Sequence, residues 1–224
     1  STLFPYTTLF RSRDNGEWKA YYRNEYVYND EGQIIQSKNG EYQRTDYTYL
    51  ESGQLKDTYS YRYQGNDWVL YEKYIGIVEG GRVVAYYDSV FASYSDSWVV
   101  QSRQLVSYDD VTGKVTRTYA DWDYYDSVWN NSRQEIELLD AQGRTIYSEE
   151  YYWEPGDQPG YGYWSGSTKS EYAFGPNGNQ VMFASYYWDG SEWVGDDKYE
   201  EDYDPFTGYQ TLQASYNWDY QRKA

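Results

Sequence analysis

The sequence predicts an all-β protein: an antiparallel meander of tandem long hairpins that together form a curved or coiled repeat sheet. Three observations predict this fold. A tryptophan-headed pattern recurs about every 30 residues, each pattern ends in a glycine-containing turn, and the residues between alternate with a period of two, with no helical period. A β-propeller with two repeats in each four-stranded blade is the main alternative.

The first residues do not belong to this pattern. Residues 2–12 read TLFPYTTLFRS, which looks like the in-frame translation of a widely used sequencing adaptor. Residues 1–12 are therefore set aside as adaptor-derived and no part of the fold. Residues 13–224 are interpreted as a single repeat array that is truncated at both ends.

The repeat unit begins at a tryptophan. An aromatic or apolar residue follows ten positions later, a turn glycine comes after it, and a Lys or Arg usually stands five positions after the tryptophan. Seven units of about 30 residues fit this pattern, one of them degenerate, with Asn39 in the tryptophan position. The units start at residues 18, 39, 68, 98, 129, 164 and 193.

Each unit is predicted to form one hairpin. Side chains alternate between faces along a strand, so the tryptophan and the aromatic residue ten positions later share a face, and the base at position five points the other way. The glycine supplies the positive φ that the turn needs. A Tyr and a Trp then mark the returning strand, as in Tyr151 and Trp153. Seven hairpins imply about fourteen strands.

Composition narrows the classes of function. The net charge of −17 argues against nucleic-acid binding, and no apolar run is long enough for a membrane helix, so we expect no membrane insertion. The chain has no Cys and no His, and we expect no cofactor, disulfide or metal site. Aliphatic residues are few, so the 33 Tyr and 10 Trp must supply much of the core at half-buried positions.

The 36 acidic residues offer no catalytic pair that stands out. Most recur at repeat positions, where a side chain usually serves the structure of its own unit. Acidic runs such as 196–197 and 200–202 match neither the EF-hand spacing nor the nonapeptide calcium repeat, and they are interpreted as exposed strand faces. We therefore expect that the chain is not an enzyme.

The segments from Tyr187 to Val194, Lys198–Tyr199 and Tyr203–Asp204 carry a resemblance. They resemble the Tyr/Trp-rich tandem β-hairpin repeats of exported and cell-surface Bacteroidetes proteins, whose unit reads YYWDGSxWV…KxxYxYDxxGN. The repeat is distantly similar to the YD repeats of Rhs-type proteins. The resemblance implies a secreted or cell-surface location and implies no enzymatic activity.

We expect a non-catalytic extracellular repeat scaffold for adhesion or surface binding, with a polysaccharide or another surface protein as its partner. One alternative is a carbohydrate-binding module that uses exposed Tyr and Trp rings. Another is an accessory repeat region of an enzyme or toxin whose catalytic domain lies outside this chain. The ligand and the oligomeric state stay open.

One segment breaks the repeat and carries the candidate site. Residues 154–160, here called the insertion, lengthen the spacing between Gly143 and the next tryptophan. Insertions in repeat proteins map to loops, often on the binding face. Cross-strand packing is the structural explanation for repeat aromatics, but rings beside a unique insertion have no such duty. The candidate ligand-binding residues are Trp153, Tyr161, Tyr163 and Trp164.

Overall fold

Strands account for all the regular structure in the computed structural model, which describes residues 10–14, 17–157, 161–204 and 206–218, with side chains from residue 23 onward. They are β1 (Phe10–Asp14), β2 (Glu17–Tyr22), β3 (Asn24–Tyr28), β4 (Ile34–Asn39), β5 (Gln43–Tyr49), β6 (Leu55–Gln64), β7 (Asp67–Glu79), β8 (Arg82–Ala92), β9 (Ser97–Asp109), β10 (Lys114–Asp123), β11 (Val128–Leu139), β12 (Thr145–Pro155), β13 (Gly162–Phe174), β14 (Gln180–Trp188), β15 (Trp193–Tyr203) and β16 (Gln210–Asn217).

Fourteen of these strands form one antiparallel sheet in chain order, with β3 at one edge and β16 at the other. β1 and β2 pair with each other in a separate two-stranded sheet. No helix occurs among the described residues. The predicted all-β antiparallel meander is therefore confirmed, and so is the expectation of about fourteen strands in it.

The chain divides into two compact units within β9, after Arg103. The hydrophobic residues buried in each unit are few: Val83, Ala85, Tyr86 and Ala92 in the first, and Val106, Val115, Ala120, Ala184 and Val194 in the second. Tyr86 is the only aromatic residue in this buried set of the described chain. Many Tyr and Trp side chains are half-buried instead, because a strand in a single sheet exposes one or both of its faces in part.

Turn chemistry connects the strands as the sequence predicts. Gly143 follows β11 with a φ of 78° and donates its backbone N–H to the carbonyl of Asp140 at 2.9 Å. The Asp140 carboxylate in turn accepts the backbone N–H groups of Gln142 and Arg144, both at 2.9 Å. Only a residue without a Cβ takes this backbone conformation at little cost.

A β-bulge recurs three residues after the tryptophan of a hairpin. In β13 the extra residue is Ser167, because Gly166 pairs with Tyr151 while Thr168 pairs with Glu150. The same shift occurs in three other strands, where the extra residue is Tyr71 in β7, Ser132 in β11 and one of Asp196 and Asp197 in β15. A bulge inserts one residue and so resets which face the following side chains point to.

The bulge corrects one prediction. Trp153 pairs with Trp164 and Glu149 pairs with Lys169, and four residues separate Trp153 from Glu149 on β12, so Trp164 and Lys169 lie on one face. The registers of β7 and β15 give the same result for their bases, Lys73 and Lys198. The prediction that these bases point away from the tryptophan was wrong, since uninterrupted alternation was assumed.

The first unit differs from the prediction as well. The pattern from residue 18 to residue 28 predicted one continuous strand, but β2 and β3 divide it and belong to different sheets. Residues 10–12 of the adaptor-derived segment lie in β1, which pairs with β2. Residues 1–9 lie outside the described residues. For them, the prediction that the adaptor-derived segment is no part of the fold stays a prediction.

Candidate functional site

The tryptophans beside the insertion occupy a repeat position. Trp153 and Trp164 face each other across β12 and β13, with ring centroids 4.9 Å apart and planes at 69°. Edge-to-face pairs occur at the same hairpin position elsewhere in the sheet, namely Tyr63–Trp68, Phe91–Trp98, Trp122–Trp129 and Trp188–Trp193. The Trp153–Trp164 pair thus packs across the hairpin, and such a pair stabilises the fold by about 0.5–1.5 kcal/mol beyond the effect of area burial.

The two candidate tyrosines are much more exposed. Tyr161 has 70% of its surface exposed and Tyr163 has 67%. Tyr163 pairs with Glu154 on the face opposite to Trp153, because it is the neighbour of Trp164 along β13. Tyr161 lies just before β13, and its carbonyl accepts the backbone N–H of Gly156 at 2.7 Å, which joins the two ends of the insertion.

A cleft of about 620 Å³ opens beside this hairpin end. We call it the insertion cleft, and it is lined by Asp123, Asp126, Asn130, Asn131, Ser132, Trp153, Pro155, Gly156, Asp157 and Tyr161. One wall comes from the end of β10, the following turn and β11, and the other comes from the end of β12 and the insertion. Residues 158–160 of the insertion lie outside the described residues.

The structure therefore separates the four sequence-predicted residues into two pairs. Trp153 and Tyr161 line the insertion cleft, whereas Tyr163 and Trp164 do not line it. The polar wall, from Asp123 to Ser132, was missed by sequence reasoning. A usable signal was its place in the repeat: the β10–β11 turn occurs one hairpin before the insertion and at the same end of the strands.

The chemistry of the insertion cleft is that of hydrogen-bond acceptors beside aromatic rings. Asp123, Asp126 and Asp157 supply carboxylates, and none of the lining residues is a Lys or Arg. The Asp123 carboxylate also shapes its own turn, since it accepts the backbone N–H of Tyr125 at 2.8 Å and the side-chain amide of Asn130 at 3.3 Å. Such a cleft can accept hydroxyl donors while a ring stacks on an apolar face.

The acidic residues that recur in the repeat do not line the insertion cleft, and each pairs with a base and a tyrosine of the sheet. On β13, the Glu171 carboxylate accepts hydrogen bonds from the Lys169 ammonium at 2.9 Å and from the Tyr186 hydroxyl at 3.1 Å. Glu200 repeats this arrangement on β15, with Lys198 at 2.5 Å and the hydroxyl of Tyr216 at 3.0 Å. Each carboxylate holds a base from its own strand and a tyrosine from a neighbouring one, so it stabilises its own hairpin pair.

Two further tyrosines share one carboxylate. The hydroxyl groups of Tyr147 and Tyr151 both donate to Glu149, the latter at 2.7 Å. Burial raises the pKa of both tyrosines well above its ordinary value, and the bond to Glu149 raises it further, because a phenolate beside a carboxylate would be repelled. These hydroxyls stay protonated and act as donors to Glu149.

The described residues offer neither a metal-binding cluster nor a membrane-spanning helix. Within the described ranges, no group of three or more His, Cys, Asp or Glu side chains is placed to hold a metal ion. In that same part of the chain no helix has the length and hydropathy of a membrane span.

No protein-family model and no curated protein matches the chain. Among solved structures, it is similar to a protein of unknown function from Bacteroides fragilis NCTC 9343, at 15% identity and a TM-score of 0.46, covering 57% of this chain and 89% of that one. A DUF3836 family protein from Parabacteroides distasonis ATCC 8503 matches at 18% identity and a TM-score of 0.31, over 41% and 85% of the two chains.

The chain is also similar to a much longer protein. The TcdB2-TccC3 chain, solved without its hypervariable C-terminal region, matches at 12% identity and a TM-score of 0.39. The match covers 85% of this chain and 10% of that one, so this chain spans about a tenth of its length. Similarities at this level assign no function.

Proposed function

We propose that this chain is a non-catalytic repeat scaffold, secreted or displayed at the cell surface, that acts in adhesion or surface binding. The observation that carries the proposal is the pairing of the recurrent charges with one another. Glu171 pairs with Lys169, and Glu200 pairs with Lys198, on the surface of the sheet, and these groups do not converge on one reacting centre. Paired carboxylates that hydrolyse glycosides instead face each other across a substrate-sized gap.

The proposed location rests on the repeat motif. The segment from Tyr187 to Val194 resembles the Tyr/Trp-rich repeats of exported Bacteroidetes proteins. The strongly acidic composition, with a net charge of −17, supports a protein that stays soluble at high local density. An exported scaffold of this kind would reach a surface polymer or another surface protein as its partner.

Carbohydrate recognition is the second candidate, and the insertion cleft favours it. Trp153 and Tyr161 lie beside the carboxylates and amides of Asp123, Asn130 and Asn131. Sugar rings have apolar C–H faces that stack on aromatic rings, and hydroxyl groups that donate to such acceptors. The proposed ligand is a neutral polysaccharide, because acidic sugars would meet carboxylates with no base in the lining.

A glycan array tests both candidates. The carbohydrate candidate predicts that the intact chain binds neutral glycans and that the Tyr161→Ala variant loses most of the signal. Tyr163→Ala is the matched control, since Tyr163 is about equally exposed and lies outside the insertion cleft. Equal losses in both variants would contradict binding in the cleft.

Mass spectrometry of the recovered glycan tests the non-catalytic part of the proposal. The bound oligosaccharide is expected to be recovered intact after long incubation. Shortened products would contradict the scaffold proposal. An array with no glycan signal would exclude the carbohydrate candidate and leave a surface protein as the partner.

A further inference from the structure

In β13 and β15, the position two residues after the hairpin tryptophan is a glycine that an indole ring covers. Trp188 of β14 lies against the backbone of Gly166, and Trp218 lies against the backbone of Gly195 in the same way. A Cβ at either glycine would overlap the indole ring, so the contact requires a residue without a side chain. The indole ring thus fills the space above each glycine.

Asn131 occupies the equivalent position in β11, two residues after Trp129. The register of β11 with β12 matches that of β13 with β14. In each pair, the residue four positions after the hairpin tryptophan faces the residue just before the tryptophan of the next strand. Trp153 is therefore the ring that the repeat would place above Asn131.

Asn131 and Trp153 point to the same side of the sheet. Asn131 and Gln134 pair with residues of β10 that are two positions apart, so they share a face despite the bulge at Ser132. Gln134 in turn pairs with Tyr151, which lies two residues before Trp153 on β12. A half-buried amide thus stands beside Trp153, where the later hairpins have only a glycine.

The ring of Trp153 lies on the other side of its strand. It rests against Gly162 of β13, where a Cβ would be 2.7 Å from the indole Cε2. β13 flanks β12 on the side away from β11. The space beside Asn131 therefore belongs to the insertion cleft, which both Asn131 and Trp153 line.

The two amides of the insertion cleft differ in what they are bonded to. The side chain of Asn130 donates to the Asp123 carboxylate at 3.3 Å. For Asn131, the described part of the chain provides no hydrogen-bond partner to the side-chain amide. An amide offers a donor and an acceptor together, whereas an ionised carboxylate only accepts. Asn131 can therefore bind two neighbouring hydroxyl groups beside the ring of Trp153.

We propose that Asn131 determines which glycan the insertion cleft binds. While a sugar ring stacks on Trp153, the Asn131 amide donates to one hydroxyl group and accepts from the adjacent one. This inference rests on the carbohydrate candidate of the proposed function, and it narrows the ligand to a neutral glycan whose inner units carry two adjacent free hydroxyl groups. Pyranose chains linked through O4 keep such a pair at C2 and C3, whereas chains linked through O3 separate their free hydroxyl groups.

Isothermal titration calorimetry of the full chain with neutral hexasaccharides is the experiment. The O4-linked probes are cellohexaose, mannohexaose and xylohexaose, and the O3-linked probe is laminarihexaose, which has adjacent hydroxyl groups only in its terminal units. We expect at least one O4-linked probe to bind about tenfold more tightly than laminarihexaose, because the latter loses two hydrogen bonds to the amide. Asn131→Ala is expected to remove this difference by weakening the binding of the O4-linked probe.

Asn130→Ala is the matched control, because it removes an amide of the same cleft that is already bonded to Asp123. We expect it to change the affinity by less than about threefold. Circular dichroism checks that both variants are folded, and the comparison of linkages on the intact chain needs no variant.

Three results would overturn the role of Asn131 and leave the carbohydrate candidate standing. They are equal binding of both linkages by the intact chain, a linkage preference that survives in Asn131→Ala, and equal losses in Asn130→Ala and Asn131→Ala. Binding to none of the four probes would also overturn the inference, while the glycan array tests the carbohydrate candidate separately.

Discussion

At the scale of single residues, two glycines show how the tryptophans are accommodated. A Cβ on Gly166 would lie 2.8 Å from the indole Cδ2 of Trp188 and 3.0 Å from Cη2 of Trp193. Gly195 has the same role one hairpin later, where Trp218 rests on its backbone. The tryptophans of one hairpin therefore lean across the glycine of the preceding one, and Trp193 reaches Tyr151 with ring centroids 6.1 Å apart.

Gly166→Ala is expected to lower the free energy of unfolding by about 1–2 kcal/mol. Overpacking costs about 1–3 kcal/mol, while replacing a strand glycine by alanine returns about 0.5–1 kcal/mol of chain entropy. Urea unfolding measures the difference. Gly175→Ala is the control, because its new Cβ would mainly meet a side-chain methyl of Val181 at 3.1 Å. Equal losses in the two variants would show that the indole contact is not the cause.

At the scale of the element, the bulge organises the hairpin. With Ser167 as the extra residue, Lys169 and Glu171 lie on the face of Trp164, where Lys169 sits 3.8 Å from the ring centroid of Tyr186. An ammonium over an aromatic face is attracted to the ring. In β13 and β15 the bulge therefore combines the tryptophan pair and the ion pair of the hairpin on one surface.

Deletion of Ser167 should cost more than about 3 kcal/mol of stability, since a one-residue slip moves every later side chain of β13 to the other face. Thermal and urea unfolding measure the loss. Deletion of Asp157, an exposed residue of the insertion, is the control and should cost less than about 1 kcal/mol, because changes in loop length are inexpensive. If the two deletions have similar effects, the bulge is not what positions Lys169.

At the scale of the whole molecule, the fourteen-stranded sheet contains strands from two compact units, and its strands follow one another in chain order. Each strand then pairs only with the strands next to it in the sequence, as is usual in repeat proteins. The β1–β2 pair stands apart from this sheet. An isolated two-stranded hairpin contributes little independent stability.

Removal of residues 1–12 should leave the thermal midpoint unchanged. The truncation removes most of β1, which pairs with β2 and not with the large sheet. Differential scanning calorimetry of the full and shortened chains measures the midpoints. A drop of several degrees, which corresponds to about 1 kcal/mol or more, would mean that the segment set aside as adaptor-derived is a strand that stabilises the fold.

The sequence by itself determined most of the strands, their order and their turns, although not the division of residues 18–28 into β2 and β3. A period of two, a tryptophan at the start of most units and a glycine such as Gly143 in the turn of each unit are local signals, and hairpin neighbours are neighbours in the chain as well. The position of the insertion was also readable, because it lengthens one repeat.

Only the tertiary structure decided which side chains meet. A bulge adds one residue without changing the composition, so the face occupied by Lys169 could not be found by counting from Trp164. Likewise, Asp123 and Tyr161 meet in one cleft although a hairpin separates them in the chain. Such proximity depends on register and turn geometry across several strands, and these depend on backbone pairing that no local pattern specifies.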